Sequence, residues 1–147
     1  MHVYSWSQKG NIYLWRYEGN PRDYSGWHFS TDREGAKSLL NLLNAMLKSE
    51  NDCTRTIKLS LTTTDVLDKV GCTDKAISSD KLKLRYEIEE DIDWRISVAN
   101  GGIEILFDKR WLKYLIKGVN DILVGKGDYY IGHDNNQLWF WWCSIDK

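Results

Sequence analysis

The chain has little proline, no paired cysteine motif, no long apolar run and no excess of either charge. Its 147 residues include one Pro and three Cys, and the formal net charge is −1. Because attraction to nucleic acid needs a basic surface, this balance argues against a nucleic-acid partner. No apolar stretch approaches the roughly 20 residues that cross a bilayer. Residues 1–6 lack the basic and apolar regions of a secretion signal. The sequence therefore predicts a cytoplasmic protein without membrane contact.

The cysteines, Cys53, Cys72 and Cys143, are odd in number and widely spaced. This spacing predicts reduced thiols rather than a disulfide framework or a zinc site, although Cys53 and Cys72 could pair if the chain were exported. The sequence also lacks a nucleophile elbow, a phosphate-binding loop, a dinucleotide-binding glycine motif and a His-Glu-x-x-His motif. We therefore expect a protein that is not an enzyme and that uses no cofactor or metal.

Aromatic side chains are the unusual component. Eight Trp and eight Tyr stand in a chain that is 42% hydrophobic and 28% charged, otherwise an ordinary globular balance. Each buried aromatic ring removes on the order of 150–250 Å² from water, so the chain can build a core without covalent staples. The length fits a single globular domain over residues 1–147.

Apolar residues at helical spacing predict two amphipathic helices, at about 32–49 and 109–124. Thr31 and Glu34 form a capping box for the first helix, and Asp108 caps the second. Alternating residues and turn signals predict strands at 2–7, 11–17, 26–29, 56–61, 82–88, 92–98, 103–107, 129–132 and 137–143, with a short helix at 65–70. The pattern predicts an α+β fold, in which one mostly antiparallel sheet carries both long helices on one face.

The two long helices resemble each other in sequence. Residues 39–47 align without gaps on residues 115–123, and each helix follows a strand that ends in Phe. An internal duplication relating 26–61 to 103–143 would explain this, and so would the general similarity of amphipathic helices. The sequence leaves both explanations open.

The first and last predicted hairpins carry aromatic residues on both strand faces. Opposite the apolar positions of these strands lie Tyr13, Trp15, Tyr17, Trp139 and Trp141. If the hairpins are neighbours, these rings form one patch, and Trp and Tyr are typical anchors of protein interfaces. The set is therefore a candidate partner-binding surface. The alternative is a second small core covered by a loop.

Carboxylates are concentrated at one strand junction. They are Glu87, Glu89, Glu90, Asp91 and Asp93. They would attract a basic partner, or they form a solvated hairpin end; the spacing of a calcium loop is absent. Arg110, Lys113 and Lys117 form a basic ridge on the second helix, which is typical of a solvated face.

Polar candidates for a ligand site are few. Asp23 and His28 lie close together in sequence, and His133 lies in a predicted turn. These side chains could contact a small ligand in an aromatic-lined pocket. The spacing of these residues in the sequence does not establish that a nucleophile and a base are in contact.

These observations favour a protein that acts by binding another protein. Small bacterial immunity proteins, which neutralise a cognate toxin by blocking its site, are similar in size and general style, though no motif is shared. The sequence therefore predicts a cytoplasmic protein-binding module, of the immunity type in its most specific form. A small-molecule-binding domain and a homodimer that pairs through its aromatic edge strands are the alternatives.

Overall fold

The computed structural model describes residues 2–17, 26–62, 76–89, 91–99, 101–127, 129–133 and 136–142. Within these ranges the chain forms nine strands, two α-helices and one 3₁₀ turn, Val3–Ser5. The strands are β1 Ile12–Tyr17, β2 Trp27–Thr31, β3 Cys53–Lys58, β4 Ala76–Ser78, β5 Lys81–Tyr86, β6 Arg95–Ala99, β7 Gly102–Phe107, β8 Tyr129–Ile131 and β9 Leu138–Phe140. The helices are α1 Arg33–Leu47 and α2 Lys109–Leu123. The predicted α+β fold is confirmed.

The strands divide between two mixed sheets. Sheet A has the order β4-β1-β2-β9-β8, and sheet B has the order β3-β5-β7-β6. The pairs β2–β9 and β5–β7 are parallel, and the other neighbours are antiparallel. The prediction of one mostly antiparallel sheet differs from these two mixed sheets in detail. Hairpin turns in a sequence indicate only antiparallel partners that are close in sequence. Parallel partners need long crossovers, which the sequence pattern does not display.

Asp residues begin both long helices. The Asp108 carboxylate accepts a hydrogen bond from the Trp111 amide at 3.2 Å, as its position predicts. In α1 the cap is Asp32, which accepts from the Gly35 amide at 2.7 Å. The prediction of Thr31 as the cap is therefore wrong by one residue, because Thr31 pairs with Ile12 and ends β2.

One core lies between the inner faces of both sheets and the two helices. In sheet B the burial of β5 and β7 alternates strictly, so their other faces are wet. In sheet A the Phe29 and Phe140 rings meet edge to face at 6.0 Å. Phe140 also reaches α2 at Gly118, where an added Cβ would overlap its ring. Gly118 therefore sets how closely α2 approaches sheet A.

The N-terminal segment closes the edge of sheet B without forming a strand. The prediction of a strand at residues 2–7 is wrong, because this segment forms the 3₁₀ turn and then runs beside β3. The Gln8 side chain donates to the Lys58 carbonyl at 2.7 Å and accepts from the Lys58 amide at 2.9 Å. The side-chain amide thus pairs with the backbone of Lys58, the last residue of this edge strand, as a residue of a neighbouring strand would.

Two successive units of the described chain have a similar order of elements. The series β1-β2-α1-β3-β5 and β6-β7-α2-β8-β9 each contain an antiparallel pair, a helix and a second antiparallel pair. The first unit differs by the additional strand β4, which lies between β3 and β5 in sequence and pairs with β1. The last strand of each unit lies parallel to the second strand of the other unit. The duplication of 26–61 and 103–143 stays a prediction, and this exchange of strands gives it a structural counterpart.

A three-residue contact fastens α2 to β8. The Lys117 ammonium and the Tyr129 hydroxyl each donate to Asp121 Oδ2 at 2.7 Å. The bond from Lys117, supplemented by the bond from Tyr129, holds the pKa of Asp121 below its usual value. Burial, followed by the bond to Asp121, raises the pKa of the Tyr129 phenol. The contact therefore needs an ionised Asp121 and a protonated Tyr129.

The remaining predictions concern the cysteines, membrane spanning and segments outside the described residues. The only free thiol among the described residues, Cys53, is buried, and burial raises its pKa. Neither described helix has the length and apolar character that crossing a membrane requires. The predicted short helix at 65–70, Cys72, Cys143 and the turn residues Asn100, Asp134 and Asn135 lie outside the described residues.

We predict that Gly118→Ala destabilises the protein. Ala normally stabilises an exposed helix position by about 0.5–1 kcal/mol relative to Gly. Here the added methyl overlaps the Phe140 ring, and overpacking costs about 1–3 kcal/mol. Urea unfolding measures the free energy, with Asn120→Ala on the exposed side of α2 as the control. A Gly118→Ala protein more stable than the parent would contradict the close contact.

We also predict that Asp121→Asn lowers stability in a pH-dependent way. Because the pKa of Asp121 is depressed in the folded state, its contribution is present above the unfolded pKa of about 3.9 and is lost as pH falls through the folded pKa. We expect a loss of about 1 kcal/mol at neutral pH. Unfolding across a pH series should show the two proteins converging in acid. Asp93→Asn, on an exposed carboxylate, is the control, and a difference that persists at pH 2 would contradict the ionic contact.

Candidate partner-binding surface

The outer face of sheet A is a continuous layer of aromatic side chains. Cα pairing places Trp15 beside His28, His28 beside Trp139, and Trp139 beside Tyr130. Because side chains two residues apart share a strand face, the same face also carries the neighbouring positions on β1, β2 and the end of β9. We call this set the aromatic layer: Tyr13, Trp15, Tyr17, His28, Ser30, Tyr130, Trp139 and Trp141.

His28 lies at the centre of the aromatic layer. Its ring stacks on Trp15 at 5.7 Å, on Trp141 at 6.0 Å and on Trp139 at 6.3 Å between centroids. The Trp141 indole N–H donates to His28 Nδ1 at 2.9 Å. The Ser30 hydroxyl donates to the Trp141 carbonyl at 2.6 Å. The central strand therefore fixes the last rings of the chain by hydrogen bonds as well as by stacking.

Exposure increases across the layer towards β8. Trp15 and His28 are fully buried, and Tyr13 and Tyr17 are also buried. Trp139 and Trp141 are half-buried, and Tyr130 is 49% exposed while its ring contacts Trp139 at 4.8 Å. The burial of Tyr13, Trp15 and Tyr17 favours the alternative of a second small core, and their role as partner contacts stays a prediction. We call the accessible part, Tyr130, Trp139 and Trp141, the aromatic edge.

Tyr130 is a member of this surface that the sequence analysis did not select. It lies in the predicted strand 129–132, but its face depends on the β8–β9 register, which pairs it with Trp139. A one-residue change of register would move it to the other face. His28 was selected for a ligand role, and the structure shows it packed among rings instead.

The acidic run and the basic ridge meet at one charged cleft of about 530 Å³, between the end of α1 and the start of α2. Glu89 and Asp91 line it together with Arg110 and Lys113. Asp91 turns the chain there in a left-handed conformation, φ 64°. Because both signs of charge are present, this acidic run does not form a uniformly negative surface.

The remaining acidic residues lie outside this cleft or outside the described ranges. Glu87 forms an ion pair with Arg85 at 3.1 Å. Asp93 is exposed, and Glu90 lies outside the described residues. In the described part of the chain, no three His, Cys, Asp or Glu side chains are placed to hold a metal ion.

The predicted ligand contacts are not brought together. His133 is exposed and its ring contacts Trp111 at 6.0 Å, whereas His28 belongs to the buried part of the aromatic layer. Asp23 lies outside the described residues. The charged cleft is lined by none of the aromatic-layer residues. The charged cleft is lined by neither His28 nor His133, and the hypothesis of an aromatic-lined ligand pocket stays a prediction.

Comparison of the chain with protein-family models, with curated proteins and with solved structures found no match.

We predict that Trp141→Phe destabilises the fold more than Trp142→Phe does. Phe keeps a ring at position 141 but removes the N–H that donates to His28, and the loss of such a bond costs about 1 kcal/mol. Trp142 is 49% exposed, so its replacement should change stability by less than about 0.5 kcal/mol. Urea unfolding of both variants measures the difference. Equal losses would show that the bond to His28 contributes nothing.

Proposed function

We propose that this protein is a non-enzymatic, cytoplasmic protein-binding module whose main contact is the aromatic edge. The observation that carries the proposal is the partial exposure of three neighbouring rings at one end of an otherwise buried layer. Trp and Tyr dominate the energetics of protein interfaces because each offers a large contact area with a polar tip.

The support beneath these rings favours binding. Trp139 and Trp141 stack at 5.8 Å and 15°, and both stack on the buried His28. Rings already held in place lose little rotamer entropy when a partner covers them. The aromatic edge is therefore a preorganised surface.

Charge makes a smaller contribution in this proposal. Glu89 and Asp91 share their cleft with Arg110 and Lys113, so the acidic run is partly neutralised within the chain. We assign Glu87, Glu89, Asp91 and Asp93 a role in orienting a partner rather than in supplying most of the affinity.

In its most specific form, the proposal is an immunity-type protein whose partner is a bacterial toxin. What supports it is the small α+β fold with an aromatic surface at one sheet edge. A second copy of the chain is the competing occupant, because β8 is the last strand of sheet A and edge strands can pair between copies.

We predict that Tyr130→Ala and Trp139→Ala weaken partner binding by about tenfold or more each, as truncated interface anchors do. Native mass spectrometry of protein purified gently from its own host identifies the partner, and calorimetry with that partner measures the affinity. The control is Tyr114→Ala, because Tyr114 on α2 is 48% exposed and thus matches Tyr130.

The melting temperature of each variant separates binding from folding. Weaker binding by folded Tyr130→Ala with an unchanged Tyr114→Ala supports the aromatic edge. Equal effects of Tyr130→Ala and Tyr114→Ala would place the interface elsewhere. A homodimer that Tyr130→Ala dissociates would assign the same surface to self-association.

A further inference from the structure

A second cleft, of about 340 Å³, opens between the two sheets. Arg16 and Trp27 line its sheet A side, Val98 and Ile103 line its sheet B side, and Ser79 and Asp80 lie beside them. The walls thus combine three apolar side chains with three polar or charged ones, and small-ligand sites likewise join apolar walls to placed polar groups. The cleft is separate from the aromatic edge, because its lining contains no residue of the aromatic layer.

Arg16 occupies an unusual position in β1. Ile12 and Leu14 alternate with it on the inner face of the strand and are fully buried. Arg16 is the next residue on this inner face, at the position where a third apolar residue would continue the core. Its guanidinium lies 5.2 Å above the Trp27 ring. The charge is thereby held at the wall of the cleft.

Two Arg–Trp pairs of the structure differ in what their guanidinium groups bind. Arg55 lies 5.3 Å above the Trp6 ring, and its guanidinium donates to the carbonyls of Val3 and Trp6 at 3.0 and 3.2 Å. The N–H donors of Arg55 are therefore used in hydrogen bonds within the fold. Arg16 has the same stacking, but within the described residues its guanidinium makes no hydrogen bond or ion pair. Its planar fork of donors is left to match a carboxylate.

The other polar groups in the cleft restrict the class of ligand that could bind there. Among the described residues that line the cleft, Arg16 is the only cation and Asp80 the only carboxylate, so the lining carries no net positive charge that would favour a dianionic phosphate over a monoanion. Asp80 is held by its backbone carbonyl, which accepts from the Leu59 amide at 2.9 Å. The Ser79 hydroxyl donates to the Gly101 carbonyl at 3.2 Å and fixes the β6–β7 turn beside the cleft.

The geometry points to a binding site for an α-carboxylate next to an apolar side chain. Arg16 binds the carboxylate, and Trp27, Val98 and Ile103 receive the apolar group. A free amino acid and the C-terminus of a peptide both present this chemistry. Asp80 distinguishes them, because only the free amino acid brings an ammonium group next to the carboxylate.

Calorimetry with three probes tests the site: L-leucine, N-acetyl-L-leucine and L-leucinamide. We expect millimolar or tighter binding of at least one of the two carboxylates and about tenfold weaker binding of the amide, since it lacks the charge that Arg16 reads. Tighter binding of leucine than of its acetyl derivative assigns the site to a free amino acid. Equal or tighter binding of the acetyl derivative assigns it to a peptide C-terminus.

Matched variants locate the binding. Arg16→Gln should weaken carboxylate binding about tenfold or more, whereas Arg110→Gln should leave it unchanged. Arg110 is the control because it also lies 5.2 Å above an indole, that of Trp111, but outside this cleft. Arg16→Lys keeps the charge and loses the fork, so it should bind with intermediate affinity. Melting curves confirm that each variant is folded.

Several results would overturn the proposal. Binding of leucinamide as tight as that of the carboxylates would show that Arg16 does not recognise the carboxylate charge of the ligand. Equal losses in Arg16→Gln and Arg110→Gln would show nonspecific attraction, and no binding at millimolar concentrations would remove the site. Tyr130→Ala should leave leucine binding unchanged, so this test is independent of the proposed partner surface.

Discussion

The parallel pairing of β2 with β9 is the interaction on which both faces of sheet A depend. On the inner face it brings Phe29 against Phe140, and through Phe140 it joins the sheet to Gly118 of α2. On the outer face it sets Trp139 beside His28 and lets Trp141 reach the same ring. Backbone bonds from Trp27 to Gln137 and from Trp141 to Phe29 extend the pairing at both ends, at 2.9 Å each. Without this pairing neither the core contact nor the aromatic edge would exist.

Local patterns predicted the elements better than their partners. The strict alternation of β5 and β7, the stripe of α2 and its Asp108 cap were readable because each depends on neighbours within a few residues. The division into two sheets was not readable, because both parallel pairs join strands that are not consecutive in the chain, β2 with β9 and β5 with β7. Thr31 was assigned to a cap because the sequence shows a hydroxyl before a helix, but it does not show that β1 holds that residue in a ladder.

For the candidate surface, too, the sequence predicted local features but not long-range contacts. Strand alternation separated Trp139 and Trp141 from Leu138 and Phe140, since that depends only on period two. Burial of Trp15 was not predictable, because it depends on what covers a sheet face. Arg16 was missed for a related reason: an arginine in alternation with Ile12 and Leu14 is recognisable as unusual only when the opposing sheet and the cleft are visible. Sequence therefore indicated which rings share a face, and structure indicated which of them are exposed.

The exchange of strands between the two units has a consequence for the order of folding. Ser30 and Trp141 are bonded across a separation of 111 residues, and the β5–β7 pair likewise waits for the second unit. Closing such loops costs chain entropy before the contacts repay it, so folding of this topology is expected to be slow for its size. Until β9 arrives, one edge of β2 stays unpaired beside an exposed Phe29. The same β8–β9 hairpin that carries the aromatic edge thus also shields the nascent sheet from pairing with other chains.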